Sequence, residues 1–233
     1  MVEGATQVLR RRGLHATAFS EVLALTGTSR GSIYHHFPGG KAELIEAVLE
    51  RHASDIDDGL RALHGLPVDQ VVSGALDVWR ARLVRDDCES GCPVAAVTIA
   101  ADTSRAVEDC RGAFRQWQDT LASALRAAGC SPRRASDSAT LLVAAVQGAL
   151  ILARAEGQPA PFDTVAGLLR AQAAQWVADA PLAAQLEAQL PDVAVWSALA
   201  PPGWRIVNDA EVLTLVNREG DVRFVALKLK DEK

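Results

Sequence analysis

The residues best equipped for chemistry stand close together near the start of this 233-residue chain. The run Arg30-Gly31-Ser32-Ile33-Tyr34-His35-His36 holds hydrogen-bond donors, small residues and stackable rings, and it contains no acid. Lys41 follows shortly after, beyond Pro38-Gly39-Gly40. Such a surface suits the major groove of DNA. Long donors reach guanine edges, small residues let backbone come close, and hydroxyl and ammonium groups meet phosphate oxygens. The same residues also describe an ordinary solvated face with two poor helix formers, so the elements that carry them decide between the readings.

Those elements read as two short helices joined by a turn. Thr17 precedes an apolar-periodic run through Phe19, Val22, Leu23 and Leu25, so it is the expected N-cap of the first helix. Gly27 supplies the positive-φ position that ends this helix and lets the chain reverse. Ser29 is the expected cap of a second helix of barely two turns, in which Ile33 and Phe37, four residues apart, pack inward against Val22 and Leu23. Pro38 and the two glycines stop it. Turn glycine, caps and acid-free face together spell a helix-turn-helix, which makes double-stranded DNA the first partner to consider.

The segment TGTSRGSIYHHFPGGKAELIEAVL, residues 26–49, resembles the recognition-helix signature of TetR-family transcriptional regulators, with Tyr34, His36, Phe37, Lys41 and Leu44 at the family's spacing. HHFPGGK, together with Gly91-Cys92-Pro93-Val94, is similar to the branch that includes the lincomycin-resistance repressors. The resemblance implies phosphate contacts from Thr17, Ser29, Tyr34, His35 or His36, and Lys41, and base reading by Arg30, Gly31 and Ser32. It departs at Thr28, where the family usually has Val, and at a first helix that begins almost at Met1 without a basic arm.

Charge is consistent with this reading once it is divided along the chain. The net charge of −5 splits into about +1 for residues 1–52 and about −6 for the remainder, so affinity for DNA should rest on a few phosphate contacts per subunit, doubled by dimerisation. Cys88, Cys92, Cys110 and Cys130 are too scattered for a disulfide framework, and reduced thiols are expected. No metal site and no cofactor is expected. Without a run of about twenty uninterrupted apolar residues or a signal peptide, the expected location is cytoplasmic, with no membrane partner. There is no Gly-rich phosphate loop, no GxSxG turn and no His/acid cluster at ligand spacing, which argues against an enzyme. A helical interaction module that does not bind DNA is the alternative.

The expected fold class is all-α: a three-helix head over residues 1–45, a larger helical ligand and dimerisation domain over 46–190, and an extension over 191–233. Helices are expected over 41–64, 68–85, 93–101, 104–128, 132–155 and, after a 158–162 loop and an Asp163 cap, 164–178. The 132–155 helix is apolar on nearly every side, so a partner must cover it; with the following helix it could form a four-helix homodimer interface. The resemblance implies a small-molecule pocket in the core. Trp79, Arg82, Phe114, Trp117 and Gln147 are its candidates, combining aromatic wall with a few polar groups. An aromatic or lipophilic effector would suit them, although the rings fit a plain core equally and Arg82 fits a surface. Residues 211–216 and 222–229, with Asn217 and Gly220 between them, read as a β-hairpin appended to a helical family. The function this implies is a ligand-responsive regulator, read as a repressor, on a palindromic operator; promoter position decides between repression and activation.

Overall fold

The computed structural model describes residues 1–101, 103–178, 205–208, 212–216 and 222–227. Met1–Val177 forms one compact unit and Ala178–Lys233 another. The first unit is helical: α1 (Val2–Ala16), α2 (Phe19–Thr26), α3 (Arg30–His36), α4 (Lys41–Arg61), α5 (Val68–Arg85), α6 (Pro93–Ala100), α7 (Ser104–Ala127), α8 (Pro132–Glu156) and α9 (Ala160–Ala178). In the second unit β1 (Arg205–Asn208), β2 (Val212–Val216) and β3 (Val222–Leu227) pair antiparallel in that order, with an irregularity at Leu215/Val216. The strand β1 had no counterpart in the sequence reading. The stretch from 179 to 190, expected to prolong the helices, lies outside the described residues.

Helix α4 is the element on which both ends of the unit are built. Leu44, Ile45, Val48, Leu49, His52, Ala53, Ile56 and Leu60 recur at helical spacing and are all buried. The helix packs on α1 at one end and on α5, α6 and α7 along its length. Two polar contacts fix its register against α7. Asp57, 1% exposed, accepts hydrogen bonds from Gln116 Nε2 (2.8 Å), Thr120 Oγ1 (2.6 Å) and Arg61 Nε (2.6 Å). Trp117 Nε1 donates to Ala53 O at 3.0 Å. A buried carboxylate is tolerated here because its lone pairs are filled.

Two helix starts differ from the sequence expectation. Asp163 does not cap α9, which begins earlier at Ala160; its carboxylate instead holds Arg80 of α5 through Nε (2.6 Å) and Nη2 (3.0 Å). Thr17 is not the N-cap of α2 either. It terminates α1, and Ala18 takes the N-cap position with no side-chain bond. The reason is Gly13, whose φ of 82° and ψ of 178° interrupt α1 and turn its last residues. That conformation is open almost solely to glycine, and it aims Gly13 O at the Thr17 hydroxyl, which donates to it at 2.8 Å.

In a single copy, the helix expected to need a partner's cover is exposed on one side. Helix α8 is long and apolar enough by composition to cross a bilayer, yet only 44% of its most apolar window is buried. Leu141, Ile151 and Leu152 on α8 and Leu168 on α9 stand exposed.

Candidate nucleic-acid interface and core site

The α2–α3 turn is built as its residues dictate. Gly27, with φ 67°, closes α2 by donating its N–H to Leu23 O at 2.9 Å. Thr26 Oγ1 donates to Val22 O (2.7 Å) and shares a 2.7 Å hydrogen bond with Thr28 Oγ1, so Thr28 has a defined place in the turn. Ser29 then caps α3 by accepting from Ser32 N–H at 3.2 Å. Val22 and Ile33 are fully buried and Phe37 is nearly so, anchoring the short α3 that could not hold its shape alone.

On the outer side of α3, Gly31, Tyr34, His35 and His36 are exposed and Ser32 is half-buried. Tyr34, 59% exposed, is steadied by an edge contact with Phe19, with ring centroids 5.5 Å apart. The rings of His35 and His36 meet edge-on at 5.4 Å. The backbone of Arg30 opens the helix; its side chain lies outside the described residues. Lys41 is exposed and spends one N–H on Leu14 O at 2.8 Å, which ties the start of α4 to the end of α1 and leaves two donors outward. Thr17 departs from the expected set. It is 1% exposed and its hydroxyl proton is committed to Gly13 O, so it braces the end of α1 rather than facing a phosphate.

Of the core candidates, the structure brings three rings together. Trp117 is fully buried and meets Trp79 (6.0 Å), Phe114 (5.5 Å) and His52 (6.0 Å) in edge contacts. Two buried side chains have unfilled hydrogen-bonding capacity: the Nε1–H of Trp79, and both Nε2 and Oε1 of Gln147. Buried polar atoms without partners are rare, and each is completed by an ordered water, an ion or a bound molecule, or is held by strain. Arg82 is half-buried, donating through Nη1 to Val78 O (2.6 Å) and through Nη2 to Asp55 O (2.8 Å).

Sequence reasoning missed the residues that surround this cluster on the side of the head. A narrow cavity is lined by Arg10, His52, Trp79, Arg82, Ser90 and Cys92, with Leu83, Gly91 and Leu150. Burial, then the nearby Arg10 and Arg82 cations, push the His52 imidazole down to about 3, so it is neutral at physiological pH. Burial pushes the Cys92 thiol up to about 11, and its Sγ lies 3.8 Å from His52 Nε2. All four cysteines are buried and free. The loop that carries Ser90, Gly91 and Cys92 clasps α1: Gly91 N–H donates to Arg10 O (3.0 Å), Arg10 Nε donates to Gly91 O (3.3 Å), and Arg10 Nη1 pairs with Asp86 Oδ2 (2.8 Å). Arg154 of α8 adds a bond to Arg11 O at 2.5 Å. A sequence signal existed, since Gly91-Cys92-Pro93-Val94 was singled out and His52 falls on the inward stripe of α4.

Comparison with known proteins agrees with both halves. Residues 1–48 match the family described as bacterial regulatory proteins, tetR family, and residues 67–167 match the LmrA/YxaF-like C-terminal domain of transcriptional regulators. The chain is 35% identical over 184 residues to the HTH-type transcriptional regulator Rv0196 of Mycobacterium tuberculosis, covering 73% of this chain and 90% of that one. It is 30% identical over 160 residues to the HTH-type transcriptional regulator LmrA of Bacillus subtilis, covering 65% and 83%. Among solved structures, a TetR regulator from Legionella pneumophila superposes with a TM-score of 0.66 at 18% identity over 74% of this chain and 94% of that one. One from Chloroflexus aurantiacus superposes with a TM-score of 0.61 at 25% identity over 75% and 92%. These relatives are regulators, not enzymes. The acid-free recognition helix, the helical core clasped to α1 and these matches lead to one assignment: the chain belongs to the TetR family of DNA-binding transcriptional regulators.

Proposed function

We propose that this protein is a ligand-responsive repressor that binds a palindromic operator as a homodimer in the cytoplasm. The observation that carries the reading is the outer face of α3, where Gly31, Ser32, Tyr34, His35 and His36 present donors and small groups without a carboxylate. Arg30, Gly31 and Ser32 read base edges, while Ser29, Tyr34, His35 or His36, and Lys41 hold phosphates. The exposed leucines and isoleucine of α8 and α9 are the face that a second copy covers, setting the two heads roughly 34–36 Å apart, one turn of DNA. An aromatic or lipophilic effector enters the core beside Trp79, Arg82, Phe114, Trp117 and Gln147, where unfilled polar atoms await it. It releases the operator by binding more tightly to a state with differently spaced heads.

In this reading residues 1–45 form the head, 46–190 the ligand and dimerisation domain, and 191–233 a C-terminal extension. Footprinting on DNA flanking the gene, at stated salt, tests it. The expected result is a two-fold protected site, lost or relaxed by about 1–3 kcal/mol in Arg30→Ala. Equal affinity of that variant for operator and scrambled DNA, with wild-type strength on both, would favour the non-DNA interaction module.

A further inference from the structure

We propose that the cavity between the end of α1, the start of α4 and the junction of α6 with α7 binds an aromatic or lipophilic anion, whose charged group is held by Lys41. The site is separate from the core around Trp79. Its consequence rests on the reading of Lys41 as a phosphate contact: a bound anion and the operator then compete for one ammonium group.

Small side chains leave the room for such a ligand. The cavity measures about 320 Å³, within the range of roughly 300–1,000 Å³ usual for small-molecule pockets. Ala42, Ala101 and Ala106 line it at positions where a longer side chain would fill it. Ile45 and Leu49, both buried, and the half-buried Leu14 complete an apolar wall. An apolar body laid on that wall is stabilised by the surface it removes from water. It also touches α1, α4 and α7 at once, so head and core are bridged by the ligand.

Charge is divided between the two ends of the cavity, and this orients the ligand. At the core end Arg105 Nη2 donates to Glu46 Oε1 at 2.5 Å. Glu46, by that bond and by its charge, and then Asp109 strengthen the hold of Arg105 on its proton, so this cation is already compensated by two carboxylates. An anionic group is repelled there. Lys41 stands five residues before Glu46 on α4, about 7.5 Å back along the axis, beside Leu14 and His15. Its ammonium makes no ion pair among the described residues; its one bond runs to the carbonyl of Leu14, itself in the wall, at 2.8 Å. Two N–H groups remain for an anionic oxygen, which forms the stronger, charge-assisted kind of hydrogen bond. The neutral remainder of the ligand then runs over Leu14, Ile45 and Leu49 towards Ala106.

The test uses the full chain and two fluorescent probes that share one aromatic skeleton, 8-anilinonaphthalene-1-sulfonate and the neutral N-phenyl-1-naphthylamine, titrated at constant ionic strength. Ala106→Leu fills the cavity, with Ala42→Leu in its place should that variant not fold. Other apolar surfaces, such as the α8–α9 face, also take these probes, so only the signal that filling removes is counted. The expected result is saturable sulfonate binding at this site, at least roughly tenfold weaker in Lys41→Gln and with the neutral probe, and reversed by duplex DNA flanking the gene. Sulfonate binding unchanged by both filling variants overturns the site. A neutral probe that binds as tightly as the sulfonate, or a Lys41→Gln variant that binds sulfonate like the wild type, overturns the anion. Sulfonate and DNA bound together at full affinity overturn the competition. A sulfonate site that answers to filling and to Lys41→Gln, in a protein that binds no DNA, confirms the pocket and overturns the DNA reading instead.

Discussion

His52 should make the protein acid-sensitive by an amount that can be worked out in advance. Its ring is 7% exposed, held against Trp117 and facing the Arg10 and Arg82 cations, and burial followed by those two charges lowers it to about 3. In the unfolded chain an imidazole titrates near 6.5. Because the folded value is depressed, the unfolded chain binds the proton first. Stability is therefore full above about pH 6.5 and falls as the pH drops towards 3. At pH 5.0 the unfolded state gains about 2 kcal/mol from protonating this one residue, while at pH 7.5 it gains roughly 0.1 kcal/mol or less. With a urea dependence of about 2 kcal/mol/M, the midpoint should fall by about 1 M between those pH values on account of His52 alone. Other groups titrate in the same range, so the measurement is a comparison. Urea unfolding at pH 7.5 and 5.0 is followed for the wild type and for His52→Gln, which keeps a polar atom near Cys92 but cannot be protonated. The variant should lose about 2 kcal/mol less on acidification, whatever its stability at neutral pH. If both proteins lose the same amount to within about 0.5 kcal/mol, the imidazole is not held neutral by its surroundings and the reasoning fails.

Three further outcomes follow from the packing. Asp57→Ala leaves Gln116 and Thr120 without their acceptor, and it should cost about 2–3 kcal/mol in chemical denaturation, Arg61 contributing little because it is largely exposed; a loss below about 0.5 kcal/mol would show that water replaces the carboxylate freely. Gly13→Ala forces a side chain into a backbone conformation that only glycine adopts readily, so it should lower stability by about 1–3 kcal/mol and weaken operator binding by displacing Leu14 O from Lys41; unchanged values on both counts would mean that α1 straightens without cost. Ile151→Glu combined with Leu168→Glu puts charges on the exposed apolar face of α8 and α9, and sedimentation should then report a monomer that has lost cooperative operator binding, whereas an unaltered dimer would place the interface elsewhere.

Most of the helical frame was legible because long apolar stripes have a period that nothing else imitates. The stripes from Leu44 to Leu60 and from Val71 to Leu83 define α4 and α5 from their spacing alone, and α5 begins and ends where the sequence places it. The helix-turn-helix was legible for a different reason: Gly27 and Ser29 act on neighbours two to four residues away, so cause and effect lie within one short stretch. Thr17 and Asp163 misled for the converse reason. Each is a good capping residue, but Thr17 was claimed by the kink at Gly13, and Asp163 by Arg80, which lies 83 positions earlier in the chain. The cavity beside Trp79 was hidden on the same ground, since Arg10, His52, Arg82 and Cys92 meet only after folding and none of them has a local pattern that announces a wall.

The clasp between Gly91 and Arg10 has a consequence for how such a regulator can diverge. One of its bonds joins main-chain atoms on both sides, Gly91 N–H to Arg10 O, and the peptide groups of a chain are the same whatever the side chains. No exchange of one amino acid for another, proline at position 91 apart, deletes that donor or that acceptor. Mutations can therefore reshape the side chains around Trp79 while α1 of the head stays fastened to that wall. The lining of the core and its attachment to the head can thus diverge separately, the first written in side chains and the second largely in the backbone.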